Sequence, residues 1–367
     1  MATHDLSRPN QVVVDAQAFA ENLECVRSLI PDETEIWQVC KGDGYGLGLR
    51  VAVELGVANG ISQFCAGTPE EALLLKGIQP DARVLLFPAA LPEDIGDLSG
   101  SGIIVTAHNA ASLEAVLRTK PDTPFFIKVD TGLHRYGFGY DPWHQALETY
   151  RGSGHGGLCG IYTHFGQNQA DNLQPAIAAY DRFLDLARST LGYQVPGMAS
   201  ASHSLFSAPE LRHARVDPGR SLYGMLSPEE THGHRLVPVV SKITSRLLEV
   251  RALDKKTAVP IGYGGADFSG DRIGVFPIGH YDGLPSGQPL GSVFIRGREA
   301  PVIARTLLAS IVDLGGITDA LPGDEVVLVG QSGGLSRDLF AFAAMLKTTV
   351  TALHFGFIRN LPKTLKV

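Results

Sequence analysis

The chain has 367 residues, of which 44% are hydrophobic and 19% charged, and its formal net charge is −7. This length exceeds what one compact core usually supports, so we expect two domains, and an acidic balance without a basic run argues against nucleic acid or an anionic membrane surface as partner. The polar start from Met1 to Gln11, the lack of a long apolar stretch and four scattered cysteines predict a cytoplasmic protein without a disulfide framework or a metal site.

Short apolar runs alternate with helical patterns from about residue 11 to about residue 223. The predicted strands are Glu35–Cys40, Gln63–Cys65, Val84–Phe87, Gly102–Val105, Phe125–Val129, Leu158–Tyr162, Gly197–Ser200 and His213–Val216. One intervening helix has the start signal Thr68-Pro69-Glu70-Glu71, a capping-box pattern with proline at the first helical position. This alternation predicts a parallel β/α barrel of eight strands. A doubly wound parallel sheet would show the same periodicity and stays the alternative.

The pattern changes at about Leu236. The predicted strands beyond it are Val237–Val240, Leu247–Val250, Ser292–Ile295, Ile303–Val312 and Glu325–Val329, and the predicted helix runs from Ser336 to Leu346. Glycine and proline turns separate the strands. The sequence therefore predicts an α/β protein with an N-terminal barrel over residues 1–235 and a mostly β domain over residues 236–367.

Polar residues follow several predicted barrel strands, where the active site of a β/α barrel forms. In chain order they are Lys41, Arg135, His164, Ser202 and Asp217. A single polar residue at a strand end has no special meaning, and a lone lysine there usually extends into solvent, but five such ends predict one shared site. Lys41 directly follows an apolar strand, and partial desolvation would lower its pKa and free its amine for Schiff-base chemistry.

Several segments resemble the alanine racemase family, in order along most of the chain. They are 41–48 (KGDGYGLG), similar to the cofactor-lysine motif; 128–137 (KVDTGLHRYG), similar to the arginine segment; 160–165 (GIYTHF), similar to the histidine strand; 218–224 (PGRSLYG), similar to the phosphate-binding turn; and 259–264 (VPIGYG), similar to the segment of the second catalytic residue. The resemblance implies a barrel followed by a β domain, pyridoxal 5′-phosphate (PLP) as cofactor, an amino acid as substrate and a head-to-tail homodimer with shared active sites.

Racemisation removes a proton from one face of Cα and returns one on the other, so it needs two bases. The resemblance implies that Lys41 holds PLP and is one base, and that Tyr263 of the partner subunit is the other. The ordinary tyrosine pKa of about 10 is too high for a base at neutral pH, and His164 is the neighbour expected to lower it. Arg135 is expected to bind the substrate carboxylate.

Further residues are implied as contacts of the cofactor and the substrate. The cofactor contacts are Tyr45, Arg135, His164, Ser202, Asp217, Gly219, Arg220 and Arg359, with Ser204 in place of Ser202 if the register there differs by two. Leu308, in Leu307-Leu308-Ala309, is expected in the substrate pocket beside Arg135 and Tyr263. Lys128 corresponds to a lysine that is carbamylated in some relatives and steadies the arginine.

The chain departs from the family pattern at Asp217, where alanine racemases have an arginine that contacts the pyridine nitrogen. Three interpretations stay open: the carboxylate keeps a proton on that nitrogen, it pairs with His164, or the alignment slips and Arg215 or Arg220 takes the family role. His280 and Arg359 also replace two tyrosines at the entrance. These changes predict a substrate other than alanine, such as a hydroxylated, acidic or larger amino acid.

Three functions fit these observations. The first is a PLP-dependent amino-acid racemase. The second is a PLP-dependent lyase (a decarboxylase, aldolase or dehydratase), which Asp217 would suit. The third is a non-catalytic PLP carrier, against which the second domain argues.

Overall fold

The structure is a computed structural model that describes residues 8–166, 173–208, 214–253, 268, 270–287 and 289–366. Contacts divide the chain into two units. The barrel unit is Phe19–Val237, and the β unit combines the residues up to Ala18 with those from Pro238 onward. The sequence placed the boundary after residue 235 and assigned residues 1–18 to the barrel. In the structure the first strand, β1 (Gln11–Asp15), instead pairs within the β unit.

The barrel unit contains a parallel sheet. Its strands are β2 (Glu35–Ile36), β3 (Gln38–Val39), β4 (Gln63–Ala66), β5 (Arg83–Leu86), β6 (Ile103–Ala107), β7 (Phe125–Lys128), β8 (Leu158–Tyr162), β9 (Gly197–Ser200) and β10 (Arg215–Val216). They pair in the order β2-β10-β9-β8-β7-β6-β5-β4-β3. Both ends of this order lie on the single segment 35–39, so the sheet closes on itself. The predicted β/α barrel is confirmed, and the doubly wound sheet is excluded.

Helices alternate with the strands of the barrel unit, and the first of them begins within the last residues of the N-terminal part of the β unit. They are α1 (Ala16–Arg27), α2 (Lys41–Tyr45), α3 (Leu49–Ala58), α4 (Pro69–Ile78), α5 (Ile95–Gly100), α6 (Ala110–Leu117), α7 (Tyr140–Ser153), α8 (Leu173–Leu191) and α9 (Ser202–Ser207). α1 buries Phe19, Leu23 and Val26, which repeat at helical spacing. Thr68 caps α4, since its hydroxyl accepts a hydrogen bond from the Glu71 backbone N–H at 3.2 Å.

The β unit is a mixed sheet with two short helices. Its later strands are β11 (Val240–Arg246), β12 (Glu249–Ala252), β13 (Arg272–Phe276), β14 (Ser292–Ile295), β15 (Arg298–Arg305), β16 (Ser310–Asp313), β17 (Glu325–Ser332), β18 (Leu335–Arg337) and β19 (Lys363–Lys366). The order is β12-β13-β16-β15-β14-β17-β11-β1-β19, and β18 pairs with β17. The helices are α10 (Leu339–Met345) and α11 (Val350–Gly356).

Three predictions from the sequence differ from the observed structure of the β unit. β1 lies between β11 and β19 because its alternate residues Val12 and Val14 need burial, which this sheet provides. The predicted strand Ile303–Val312 is a hairpin of β15 and β16, which pair antiparallel. The predicted helix from Ser336 begins later, because Asp338 caps α10 by accepting from the Ala341 backbone N–H at 2.7 Å.

Among the described residues no single helix is long and apolar enough to cross a membrane. α10 and the stretch Val350–Asn360 pass such a test only together, and they are bent by 90° relative to each other.

Candidate active site

A cavity of about 930 Å³ lies at the C-terminal ends of the barrel strands. The predicted site residues that line it are Lys41, Tyr45, Lys128, Arg135, His164, Ser202, Ser204, Asp217, Gly219 and Arg220. They come from the last residue of β7 and from the segments after β3, β7, β8, β9 and β10, so the barrel brings together residues that are up to 179 positions apart in the chain. Leu308 and Arg359 belong to the β unit and stay predictions, and Tyr263 lies outside the described residues.

An unusual turn presents Lys41 at the end of β3. In α2 the backbone angle φ is +66° at Gly42, +56° at Asp43, +60° at Gly44 and +54° at Tyr45, so these residues form a left-handed turn. Glycine adopts this region without penalty, which explains the glycines after the lysine, whereas Asp43 and Tyr45 are strained there. The turn is therefore held by its surroundings.

Glu71 is the main support of this turn. Its carboxylate accepts hydrogen bonds from the Asp43 backbone N–H at 2.8 Å and from the Gly67 backbone N–H at 3.0 Å. The Asp43 carboxylate in turn accepts from the Leu49 backbone N–H at 2.8 Å. The sequence predicted for Glu71 only a capping role in its own helix. Nothing in the sequence indicated that it also supports the turn after Lys41.

The two lysines of the cavity have lowered basicity. Burial, followed by the positive charge of Arg135, lowers the pKa of Lys41. Burial lowers the pKa of Lys128 to about 8. The Nζ atom of Lys41 lies 5.9 Å from the centroid of the Phe87 ring, and that of Lys128 lies 4.9 Å from the centroid of the Tyr162 ring. Lys41 thus loses its proton more readily than an exposed lysine, as a nucleophilic amine requires.

His164 is neutral at physiological pH. Burial, then the charges of Lys41, Lys128 and Arg135, lowers its pKa to about 3. A neutral imidazole can accept a hydrogen bond from a hydroxyl, but it supplies no positive charge. Any help that His164 gives to a tyrosine therefore comes through that acceptor nitrogen.

A turn whose backbone N–H groups converge on one hydroxyl follows Asp217. The Gly219 and Ser221 backbone N–H groups donate to the Ser202 hydroxyl oxygen at 2.9 and 3.1 Å. Backbone N–H groups that converge in this way, together with a hydroxyl, are typical donors to phosphate oxygens. Nη2 of Arg220 donates to Glu230 at 2.9 Å and to the Met225 carbonyl at 3.1 Å, whereas its buried Nε atom has no partner among the described residues.

Asp217 is a buried acid at the wall of the cavity. It is 5% exposed, and burial raises its pKa to about 7 although Lys41 and Lys128 oppose this rise. Within the described part of the chain its Oδ1 atom has no hydrogen-bond partner. A buried polar atom without a partner is costly unless a ligand supplies one.

The structure narrows the three interpretations of Asp217. Arg215 does not line the cavity, since its guanidinium binds Glu35 at 2.7 Å and the Cys159 carbonyl at 2.6 Å. Arg220 is paired with Glu230. Among the described residues no hydrogen bond joins Asp217 to His164. An acid that faces the ligand itself is the interpretation that the geometry favours.

Sequence reasoning missed several residues that line the same cavity: Phe87, Tyr136, Tyr162 and His203. The first three are aromatic, and their types carried no signal that separates a cavity wall from a core. The Nε2 atom of His203 is buried without a partner in the described structure. His203 stands beside the predicted Ser202, and a second polar residue at the end of the same strand was the available clue.

Replacing Gly219 with alanine is expected to weaken cofactor binding. A Cβ atom there would lie 2.4 Å from Oη and 2.8 Å from Cζ of Tyr45, so the ring or the turn must shift. Overpacking costs about 1–3 kcal/mol, and a loss of this size in the free energy of PLP binding corresponds to about a 5- to 150-fold rise in Kd. The measurement is an absorbance titration of cofactor-free protein with PLP. Gly77→Ala, with nothing within 4 Å of the added atom, is the matched control.

Asp217 is expected to make the cofactor-free protein less stable as pH rises. Its folded pKa of about 7 lies above the ordinary value of 3.8, so its stabilising contribution is complete below pH 4 and is lost as pH rises through 7. Relative to Asp217→Asn, the wild-type free energy of unfolding should fall by roughly 2–4 kcal/mol over this range. Urea unfolding of both proteins at several pH values measures it. A difference that does not change with pH would contradict the assignment.

Comparisons with known proteins agree over nearly the whole chain. Residues 14–227 match the family model of the alanine racemase N-terminal domain, and residues 240–365 match that of the alanine racemase C-terminal domain. An alanine racemase of Actinobacillus succinogenes is 31% identical over 336 residues, which cover 88% of this chain and 91% of that relative. One of Haemophilus influenzae is 30% identical over 337 residues, with 88% and 90% covered. The crystal structure of alanine racemase from E. faecalis is similar with a TM-score of 0.84 at 25% identity, and it covers 99% of both chains.

Proposed function

Since this chain belongs to the alanine racemase family, we propose that it interconverts L- and D-amino acids by two-base proton transfer at Cα, with Lys41 and Tyr263 as the bases. The family is PLP-dependent, and the chain is an isomerase. The observation that supports Lys41 most directly is its place on a left-handed turn in the cavity, where burial and Arg135 lower its pKa. The comparisons give no support to the lyase hypothesis.

The residues of the cavity fit PLP. The amine of Lys41 would hold it, and the Gly219 and Ser221 backbone N–H groups, with the Ser202 hydroxyl and Tyr45, would hold its phosphate. The unpartnered oxygen of Asp217 offers a further polar contact. When bound, PLP withdraws electrons from Cα and so acidifies its hydrogen.

The protein side of the reaction is proton transfer and positioning. Lys41 takes or returns the proton on one face of Cα, and its lowered pKa favours the neutral amine that can accept a proton. Tyr263, contributed by the partner subunit, serves the opposite face, and neutral His164 accepts its hydrogen bond. Arg135, an exposed side chain that lines the cavity, binds the substrate carboxylate.

Replacing Arg135 with lysine is expected to lower kcat/KM by about 10- to 150-fold. Lysine keeps the charge but loses the planar fork that binds two carboxylate oxygens, at a cost of about 1.5–3 kcal/mol. Steady-state racemisation, followed by the change in optical rotation, measures it. Arg118→Lys, on the surface after α6, is the control. Equal kinetics in both variants would remove Arg135 from the substrate site.

The assembly and substrate are part of the same proposal. We infer a cytoplasmic homodimer, supported by the family and by the free state of Cys25, Cys40, Cys65 and Cys159. Leu308 contributes to the substrate pocket, Arg359 contacts the cofactor, and His280 and Arg359 make the entrance basic, which favours a hydroxylated, acidic or larger amino acid over alanine. A side-by-side comparison of kcat/KM for alanine, serine, aspartate and lysine tests this preference.

The experiment that tests the proposed function combines absorbance with isotope exchange. The purified protein should show the visible band of lysine-bound PLP, and amino acid incubated in D₂O should take up deuterium at Cα while losing optical activity. A protein that stays colourless with added PLP would refute the assignment. A product with a cleaved Cα bond would replace the racemase by a lyase.

A further inference from the structure

We propose that Asp217 holds a proton on the ring nitrogen of PLP, so that the cofactor of this racemase has a pyridinium ring. The inference rests on the proposed function, because it requires that PLP occupies the cavity around Lys41. It assigns to Asp217 control over the protonation of the ring, which the type of reaction alone does not determine.

Of the polar groups of PLP, only the ring nitrogen is a suitable partner for the carboxyl group of Asp217. The phosphate and the phenolic oxygen are anionic, so a carboxylate would repel them, whereas the ring nitrogen is basic. The anionic groups also have better hosts in the cavity: backbone N–H groups at Gly219 and Ser221 for the phosphate, and cationic side chains for the phenolic oxygen. Asp217 is therefore suited to the nitrogen.

The position of Asp217 in the chain agrees with this contact. It directly follows β10, and Gly219 of the phosphate turn lies two residues further on. In PLP a single ring atom separates the nitrogen from the carbon that carries the phosphate arm. One short segment can thus contact both groups. β10 also pairs with β2, the first part of the segment that ends at Lys41.

The surroundings make Asp217 an acid that needs a basic partner. Its Oδ1 atom is buried and has no hydrogen-bond partner in the described structure. The titratable groups whose charges act on it, or on which it acts, are Lys41, Lys128, Tyr45, Cys65, Tyr162 and Tyr180. Of these only the two lysines carry positive charge, and Lys41 would be used by the cofactor. A ring nitrogen that shares a proton with the carboxyl would give the buried oxygen its partner.

A protonated ring attracts electrons from Cα more strongly than a neutral ring. The consequence for this chain is that Asp217, rather than a base at Cα, sets how far negative charge is delocalised. Glu35 offers a matched comparison, since it is a carboxylate of the same barrel that is committed to Arg215 and Arg83 and does not line the cavity.

The test is ¹⁵N NMR of holoenzyme reconstituted with PLP that carries ¹⁵N in the ring. We expect the wild-type and Glu35→Gln signals at the position of a protonated pyridine from pH 6 to pH 9, and the Asp217→Asn signal shifted to that of an unprotonated one. Asp217→Glu should restore the protonated signal. A wild-type nitrogen that titrates as in free PLP, or a proton that survives Asp217→Asn, would overturn the inference.

Two readouts separate this inference from the proposed function. Asp217→Asn folding is checked by circular dichroism, and the wild-type pH titration alone decides the matter if the variant does not fold. If wild-type protein binds PLP and racemises amino acids with an unprotonated ring, the proposed function is supported and the proposed role of Asp217 is wrong. If PLP gives no Lys41-dependent band, the function itself fails.

Discussion

Lys41→Ala is expected to lower kcat for racemisation by more than about 1,000-fold and to abolish the visible band of bound PLP. Lys41 has two tasks, since it attaches the cofactor and moves a proton at Cα, and alanine can do neither. Lys41 has a lowered pKa and precedes a left-handed turn that places it in the cavity. A lysine elsewhere in the chain cannot take over these two tasks. Absorbance and optical rotation of the purified variant measure both losses.

Lys120→Ala is the matched control, because Lys120 is exposed and lies after α6, away from the cavity. It should keep both the band and the rate. Added methylamine can restore part of the activity of Lys41→Ala if the missing group is only an amine. A Lys41→Ala protein that retains the band and turns over would show that a different group, such as Lys128 in the same cavity, holds the cofactor.

The barrel could be predicted from the sequence because its strands are continuous apolar runs buried on both faces. Leu158–Tyr162 and Gly197–Ser200 have the predicted bounds. The remaining barrel strands differ at their ends, because the backbone pairing that limits a strand need not stop where its apolar pattern stops. The apolar pattern by itself does not distinguish closure into a barrel from an open, doubly wound sheet. Closure depends on β2 pairing with β10 across 180 residues, a contact that no local pattern encodes.

The site could be predicted to the extent that it follows strand ends. Active sites of β/α barrels form at the C-terminal ends of the strands, and this rule predicted that Lys41, His164 and Asp217 share one site. All three line the cavity. The partners of each side chain could not be predicted. That Glu230 binds Arg220 and Glu35 binds Arg215 depends on three-dimensional placement, and only these contacts separate the interpretations of Asp217.

The β unit was harder to predict for a physical reason. Its antiparallel strands are short, and turn residues rather than apolar runs set their limits, so the β15–β16 hairpin resembled one long strand. β1 is far from its partners in sequence, and an isolated five-residue strand does not indicate which sheet it joins. The pairing of strands that are distant in the sequence is therefore the main feature that could not be predicted from a single sequence.

Tyr263→Phe is expected to lower kcat for racemisation by more than about 1,000-fold while the visible band of bound PLP remains. Phenylalanine keeps the ring and removes the hydroxyl, so one face of Cα loses its acid/base and Lys41 still serves the other. Tyr263 lies outside the described residues, and the expectation comes from its motif and from the need for two bases. In D₂O the variant should exchange the Cα hydrogen of one enantiomer alone, without inversion. Tyr140→Phe, an exposed tyrosine on α7, is the control. Exchange of both enantiomers at the wild-type rate would show that one base, or another residue, serves both faces.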